Sequence, residues 1–202
     1  FYVGGGNIMH ILESFSHKLN CKAVIHEVAA GIATEDFNET SDKGRALALV
    51  TAGPGLTNII SSIAGAYLES RELLVIGGQC KTTDLSNGKL IQNSIQEISG
   101  SKLANSICLH SETMLDVWNK DKFYKKTNFP SNKRKGPIFL EIPLDIQARN
   151  IEPSSLEIKI KDSLNCIDEK ELKNVVGLIK SSHRPVILLG GGIDRKLIKE
   201  IY

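Results

Sequence analysis

"LVTAGPGLTN", Leu49–Asn58, joins an aliphatic run to a helical pattern through a turn that holds two glycines and a proline. Upstream, the apolar residues of Ala46–Thr51 are continuous rather than alternating, as in a strand covered on both faces. Downstream, Leu56–Leu68 reads as a helix. Strand, glycine turn and helix in this order form the unit of a layered parallel fold, in which ligands bind just beyond the carboxyl ends of the strands. Gly53 and Gly55 permit backbone geometry and close approach that a side chain forbids. Pro54 stiffens the turn, and Thr57 and Asn58 bring a hydroxyl and an amide to the first helical turn. The stretch is not a P-loop, because it lacks the GK[ST] ending. Nor is it a GxGxxG fingerprint, which needs glycine where Asn58 stands. Taken alone, such a turn is as compatible with a structural role as with a ligand.

Working outward, Leu73–Ile76 and Pro137–Ile142 read as further strands, and Val28–Phe37 and Thr113–Tyr124 as helices. The expected fold is α/β: a doubly wound, mostly parallel sheet with helices on both faces. Towards the start of the chain, "FYV" is strand-like, "GGGN" (Gly4–Asn7) forms a glycine turn, and "IMHILESF" is helical. The composition changes after Gln147. Residues 148–167, with Pro153, Ser154 and Ser155, read as a linker between a first domain, 1–147, and the beginning of a second α/β domain, 168–202. In the latter, Glu169–Lys180 is an amphipathic helix, Arg184–Leu189 a strand, and Gly190–Gly192 a turn into another helix.

The 202 residues carry a net charge of +2, too small to argue for nucleic acid or an anionic membrane surface. The basic run Ser131–Gly136 reads as a solvated loop. No apolar stretch approaches the roughly 20 residues that span a bilayer. Cys21, Cys80, Cys108 and Cys166 are scattered, without a CxxC pair or matching histidine spacing. They therefore suggest neither a zinc motif nor a disulfide framework, and the expected location is the cytoplasm. The chain opens at Phe1 without methionine and stops inside the helical pattern "DRKLIKEIY", so a fragment of a longer polypeptide is expected.

A single acid, Glu27, stands in "VIHEVAAG" between an apolar strand-like end and a run of small residues. One reading is a first-turn glutamate that favours the positive end of the helix dipole. The other is a buried acid that exchanges a proton with something bound beside it. His26 reads as structural or helix-capping.

A glycine turn after the first strand is followed by His26-Glu27 opening a small-residue helix, then "TAGPGLTN", "AYLES", "LLVIGGQ", "IQE" and "GPIFLEIPLDIQ". That series resembles the pyrimidine-binding domain of thiamine-diphosphate-dependent enzymes, above all the acetolactate synthase (acetohydroxyacid synthase) group. "RPVILLGGG" looks like the opening of that family's central domain.

The resemblance implies an enzyme that decarboxylates a 2-oxo acid such as pyruvate and joins the remainder to a second carbonyl, a transferase or lyase. It implies that Glu27 hydrogen-bonds the cofactor's aminopyrimidine and controls its tautomer. Thr51, Gly53 and Pro54 would line the pyrimidine pocket, and Asn58 would stabilise the turn or touch the cofactor. Gln96 would face the reacting carbon, where its amide stabilises charge developing on the substrate; read without the resemblance, Gln96 is equally a surface glutamine. Magnesium would be held through a GDG…N motif that this sequence lacks, so this chain supplies no metal ligand. FAD is compatible with the group. The active site would form between subunits of a homodimer or homotetramer, so this chain alone is expected to be inactive. Glu69, Glu72 and Leu109 depart from the family pattern. A 2-oxo acid decarboxylase, a flavin-linked oxidase and a non-catalytic regulatory paralogue are the alternatives.

Overall fold

The structure is a computed structural model, which describes residues 1–41, 44–88, 92–129, 134–151 and 168–193. Four parallel strands form its sheet: β1 (Ala48–Val50), β2 (Leu73–Gln79), β3 (His110–Thr113) and β4 (Pro137–Pro143), in the order β1-β2-β4-β3. Beyond β1 the sheet continues in shorter steps. Tyr2 bridges Leu49 on one side and Ala23 on the other, and backbone bonds from Leu49 N to Phe1 O (2.9 Å) and from Val24 N to Tyr2 O (2.9 Å) fix the register.

The continuous apolar runs follow from coverage on both faces. Alternate residues Ala48, Val50, Leu73, Val75 and Phe139 pack with α2 (Glu27–Thr40) and α3 (Pro54–Leu68). The intervening Leu49 and Ile76 pack on the other face with Ile8 and Ile11, the latter in α1 (Met9–Ser16). Farther along that face, Leu140 meets Met114, Trp118 and Ile146. Each fully buried Leu or Ile contributes about 1.5–3 kcal/mol. The expected doubly wound parallel α/β layer is therefore the observed one.

Two helices approach unusually closely. A Cβ on Gly31 of α2 would stand 2.4 Å from the Ser62 Cβ of α3, and Ser62 Oγ donates to Val28 O at 2.9 Å. Small residues in "VAAGIA" permit this contact, which brings the first turns of both helices to one end of the sheet. There the chain leaves Tyr2 through α1 outward to Ala23, and leaves β1 through α3 inward to β2. Such a divergence opens a crevice at the strand ends.

Three expectations are corrected. The span Thr113–Tyr124 is not one helix: Thr113 ends β3, Met114 N continues the ladder to Glu141 O (2.8 Å), and helix α4 covers Lys120–Thr127. Asn119 starts that helix, its Oδ1 accepting from Lys122 N at 2.8 Å. The apolar Met114 and Trp118, which mimic a helical stripe, instead pack against the sheet from a loop. Secondly, Arg184–Leu189 forms no strand; Val186 and Leu188 are exposed, and the segment pairs with no strand among the described residues. Thirdly, the described part of the basic run is not simply solvated. Arg134 donates to Ser70 Oγ and Tyr67 O, both at 2.8 Å, and Lys135 pairs with Glu72 at 3.2 Å. The departure at Glu72 thus sits in an ion-paired corner. Helix α5 (Glu169–Ser181) matches its expected range closely. Most of the expected linker (152–167), the helix after Gly192 and Cys166 lie outside the described residues.

Candidate functional site

Glu27 is the first residue of α2 and is only 7% exposed. His26 caps the helix from an extended conformation, its Nδ1 accepting from Val28 N at 3.2 Å. The Glu27 carboxylate therefore sits where the helix dipole favours it. It is nonetheless turned inward: Asn58 Nδ2, in the first turns of α3, donates to Oε2 at 2.9 Å. Oε1 accepts no hydrogen bond among the described residues, and a Cβ on Gly55 would lie 3.3 Å from it.

The turn after β1 surrounds this acid. Gly53 is the N-cap of α3 at φ +63°, a left-handed conformation that glycine adopts without a steric penalty. Pro54 follows at the first helical position, where its missing N–H is not needed. Thr51 is half-buried behind the turn. A Cβ on Gly55 would come within 2.8 Å of Thr51 Cγ2, and one on Gly5 within 2.6 Å of Thr51 Cβ. The glycine turns at residues 4–6 and 53–55 thus flank Thr51, and bare backbone borders Glu27.

Gln96 approaches the same turn. Its own φ is +60°, and a Cβ on Gly53 would stand 2.7 Å from both Gln96 Cβ and Gln96 O. Its side chain is exposed. The structure brings Glu27, Thr51, Gly53, Asn58 and Gln96 to one end of the sheet, with Pro54 exposed at its rim. No cluster of His, Cys, Asp or Glu among the described residues is arranged to hold a metal. No helix among them is long and apolar enough to cross a membrane.

Two buried acids were missed. Glu141, 2% exposed at the end of β4, accepts from Gly100 N (2.9 Å) and Gln79 Nε2 (3.1 Å) on Oε1, and from Thr113 Oγ1 (2.7 Å) and Ser101 N (3.2 Å) on Oε2. Burial pushes its carboxyl above the ordinary range, against the pull of those donors. Glu97, 8% exposed, accepts from Ser86 N (2.6 Å) and Asn93 N (2.9 Å). Burial works to raise Glu97 too, but its hydrogen bonds outweigh burial and hold it below the ordinary range. Both acids line a cavity of about 540 Å³ that also includes Gln79 and Lys102. The available signal was an acid inside an apolar strand, "FLEIP". The Cys108 thiol, pushed up to about 12 by burial, stays protonated at neutral pH.

Residues 1–103 match the family described as "Thiamine pyrophosphate enzyme, N-terminal TPP binding domain". The chain is 26% identical over 200 residues to the chloroplastic acetolactate synthase of Arabidopsis thaliana, covering 95% of this chain and 29% of that protein. It is 25% identical over 198 residues to the acetolactate synthase isozyme 1 large subunit of Escherichia coli, covering 95% and 34%. Over 176 residues it is 31% identical to a probable acetolactate synthase large subunit of Methanocaldococcus jannaschii, covering 83% and 29%. The chain thus spans 29–34% of the length of these relatives. The match over residues 1–103 and the parallel sheet that carries them lead to one conclusion: the chain belongs to the thiamine pyrophosphate enzyme family, of which it carries the N-terminal TPP-binding domain, and it is similar to the acetolactate synthases.

Proposed function

We propose that this chain contributes the aminopyrimidine side of the active site in an enzyme that decarboxylates a 2-oxo acid such as pyruvate and ligates the product to a second carbonyl. The observation that carries the reading is the state of Glu27: buried, gripped through Oε2 by Asn58, with Oε1 unengaged among the described residues beside the bare Gly55 backbone. That arrangement fits a flat heterocycle that offers a nitrogen to a carboxyl, because glycines stand where side chains would fill the space.

Thiamine diphosphate supplies the electron sink for decarboxylation and carboligation. Glu27 holds or shares a proton at Oε1, and with it governs the protonation of the aminopyrimidine. Asn58 orients the carboxylate, Thr51 and the Gly53-Pro54 turn line the ring's pocket, and Gln96 directs its amide at the substrate oxygen. Magnesium and the diphosphate are held outside this chain's residues, and FAD remains compatible with the acetolactate synthase likeness.

We further propose residues 1–147 as the pyrimidine domain, 148–167 as a linker and 168–202 as the opening of a central domain. The clusters of buried hydrophobic residues, all between Ile8 and Ile146, support the first boundary. A subunit interface at the site is supported by Ile25, 100% exposed, and Ile95, 84% exposed, which flank Glu27 and Gln96. The test is Glu27→Gln in the enzyme supplied with thiamine diphosphate, magnesium and pyruvate. Turnover falls by about 10²–10⁴-fold if the reading holds; wild-type turnover returns Glu27 to a helix-dipole role.

A further inference from the structure

Gln96 occupies a left-handed conformation that a non-glycine residue keeps only when its surroundings enforce it. Those surroundings are visible. Glu97, the next residue, ties Ser86 N through Oε1 and Asn93 N through Oε2, so one carboxylate fixes two backbone positions relative to Gln96. On the far side, Gln79 Nε2 donates to Ile98 O at 2.8 Å, and Glu141 holds Gly100 N and Ser101 N. Gln96 is thereby pressed onto Gly53, whose turn leads into the Gly55 backbone beside Glu27.

We infer that Glu97 is a positioning residue, whose clamp on Ser86 and Asn93 holds Gln96 against the Gly53 turn in the orientation the reaction needs. The inference rests on the role proposed above for Gln96. Glu97 does not act on the substrate itself: it is buried, and each oxygen already accepts a protein N–H at short distance. An ionised carboxylate is suited to this task because both of its oxygens accept. A glutamine there presents one acceptor and one donor to two N–H groups, and one of them loses its partner.

The experiment is a mutant cycle in the holoenzyme with pyruvate as substrate, comparing Gln96→Ala, Glu97→Gln and the double variant. Glu97→Gln is expected to lower kcat by about tenfold to a hundredfold, with thiamine diphosphate affinity unchanged. Hydrogen exchange should quicken at the Ser86 and Asn93 amides and not in β2. Because Glu97 acts through Gln96, the double variant is expected to be no slower than Gln96→Ala alone. Losses that multiply, or Glu97→Gln at wild-type kcat beside a slow Gln96→Ala, overturn the positioning role and leave that of Gln96 intact. Gln96→Ala at wild-type kcat overturns both. Should Glu97→Gln not fold, Glu97→Asp, which keeps two acceptors on a shorter arm, takes its place in the cycle with the same criterion.

Discussion

Asn58 and Glu27, 31 residues apart in sequence, meet side chain to side chain, Nδ2 donating to Oε2 at 2.9 Å. The contact joins the opening turns of α2 and α3 and aims one carboxylate oxygen while leaving the other unengaged among the described residues. A hydrogen bond to a charged group contributes about 1.5–3 kcal/mol when well shielded.

Asn58 is itself partly open to water, so the lower end of that range applies. Asn58→Ala is predicted to lower kcat/KM by about tenfold while the protein stays folded. Asn58→Asp sets two carboxylates at hydrogen-bond distance and should lose more. Steady-state kinetics with pyruvate beside far-ultraviolet circular dichroism check both; wild-type kcat/KM in Asn58→Ala would remove Asn58 from the site.

The close crossing of α2 and α3 gives a prediction about stability. Gly31→Ala places a Cβ 2.4 Å from Ser62 Cβ, so the helices must part. Overpacking costs about 1–3 kcal/mol, offset in part by the roughly 1 kcal/mol that alanine gains over glycine in a helix. A lower denaturation midpoint is expected, with partial recovery on adding Ser62→Gly. An unchanged midpoint in Gly31→Ala would contradict the contact.

Acid should release the segment around Gln96 before it unfolds the sheet. Burial works to raise Glu97 and Asp145, but hydrogen bonds from Ser86 and Asn93, and from Thr82, hold them below their ordinary values of 4.5 and 3.8. A lowered folded-state pKa gives stability that is complete above the unfolded value and lost as pH falls through the folded one. Amide protection is therefore predicted to persist at about pH 6 and to begin fading below 4.5 at Ser86 and Asn93, and only below 3.8 at Thr82. Glu141, raised by burial, works in the opposite sense: its contribution is present below 4.5 and lost as pH rises through its folded value. Local exchange is the measurement for this reason. Protection that stays constant down to acid unfolding would contradict the clamp.

The chain's own letters disclosed what depends on local pattern. β1, β2 and β4 were legible because both faces are covered and their apolar runs are unbroken. β3, "HSET", was not: all four residues are polar, and as an edge strand its position is specified by β4, not by hydrophobicity. The inward setting of Glu27 was foreshadowed by the small residues after it, which allow the Gly31–Ser62 approach. Which group would grip its carboxylate was not, since that depends on two helices meeting. Glu141 escaped for the same reason, as its partners lie 28–62 residues away; those of Glu97, only 4 and 11 residues away, come from a loop that carries no periodic pattern. Arg184–Leu189 shows the converse, a strand-like composition that pairs with no strand among the described residues.

The central claim is that Glu27 controls proton transfer on the bound aminopyrimidine. Its most direct measure is the rate at which thiamine diphosphate on the enzyme exchanges its thiazolium proton with deuterated water. Glu27→Gln is predicted to slow that exchange by about 10²–10⁴-fold with the cofactor still bound. Exchange at the wild-type rate, cofactor bound, would contradict the account.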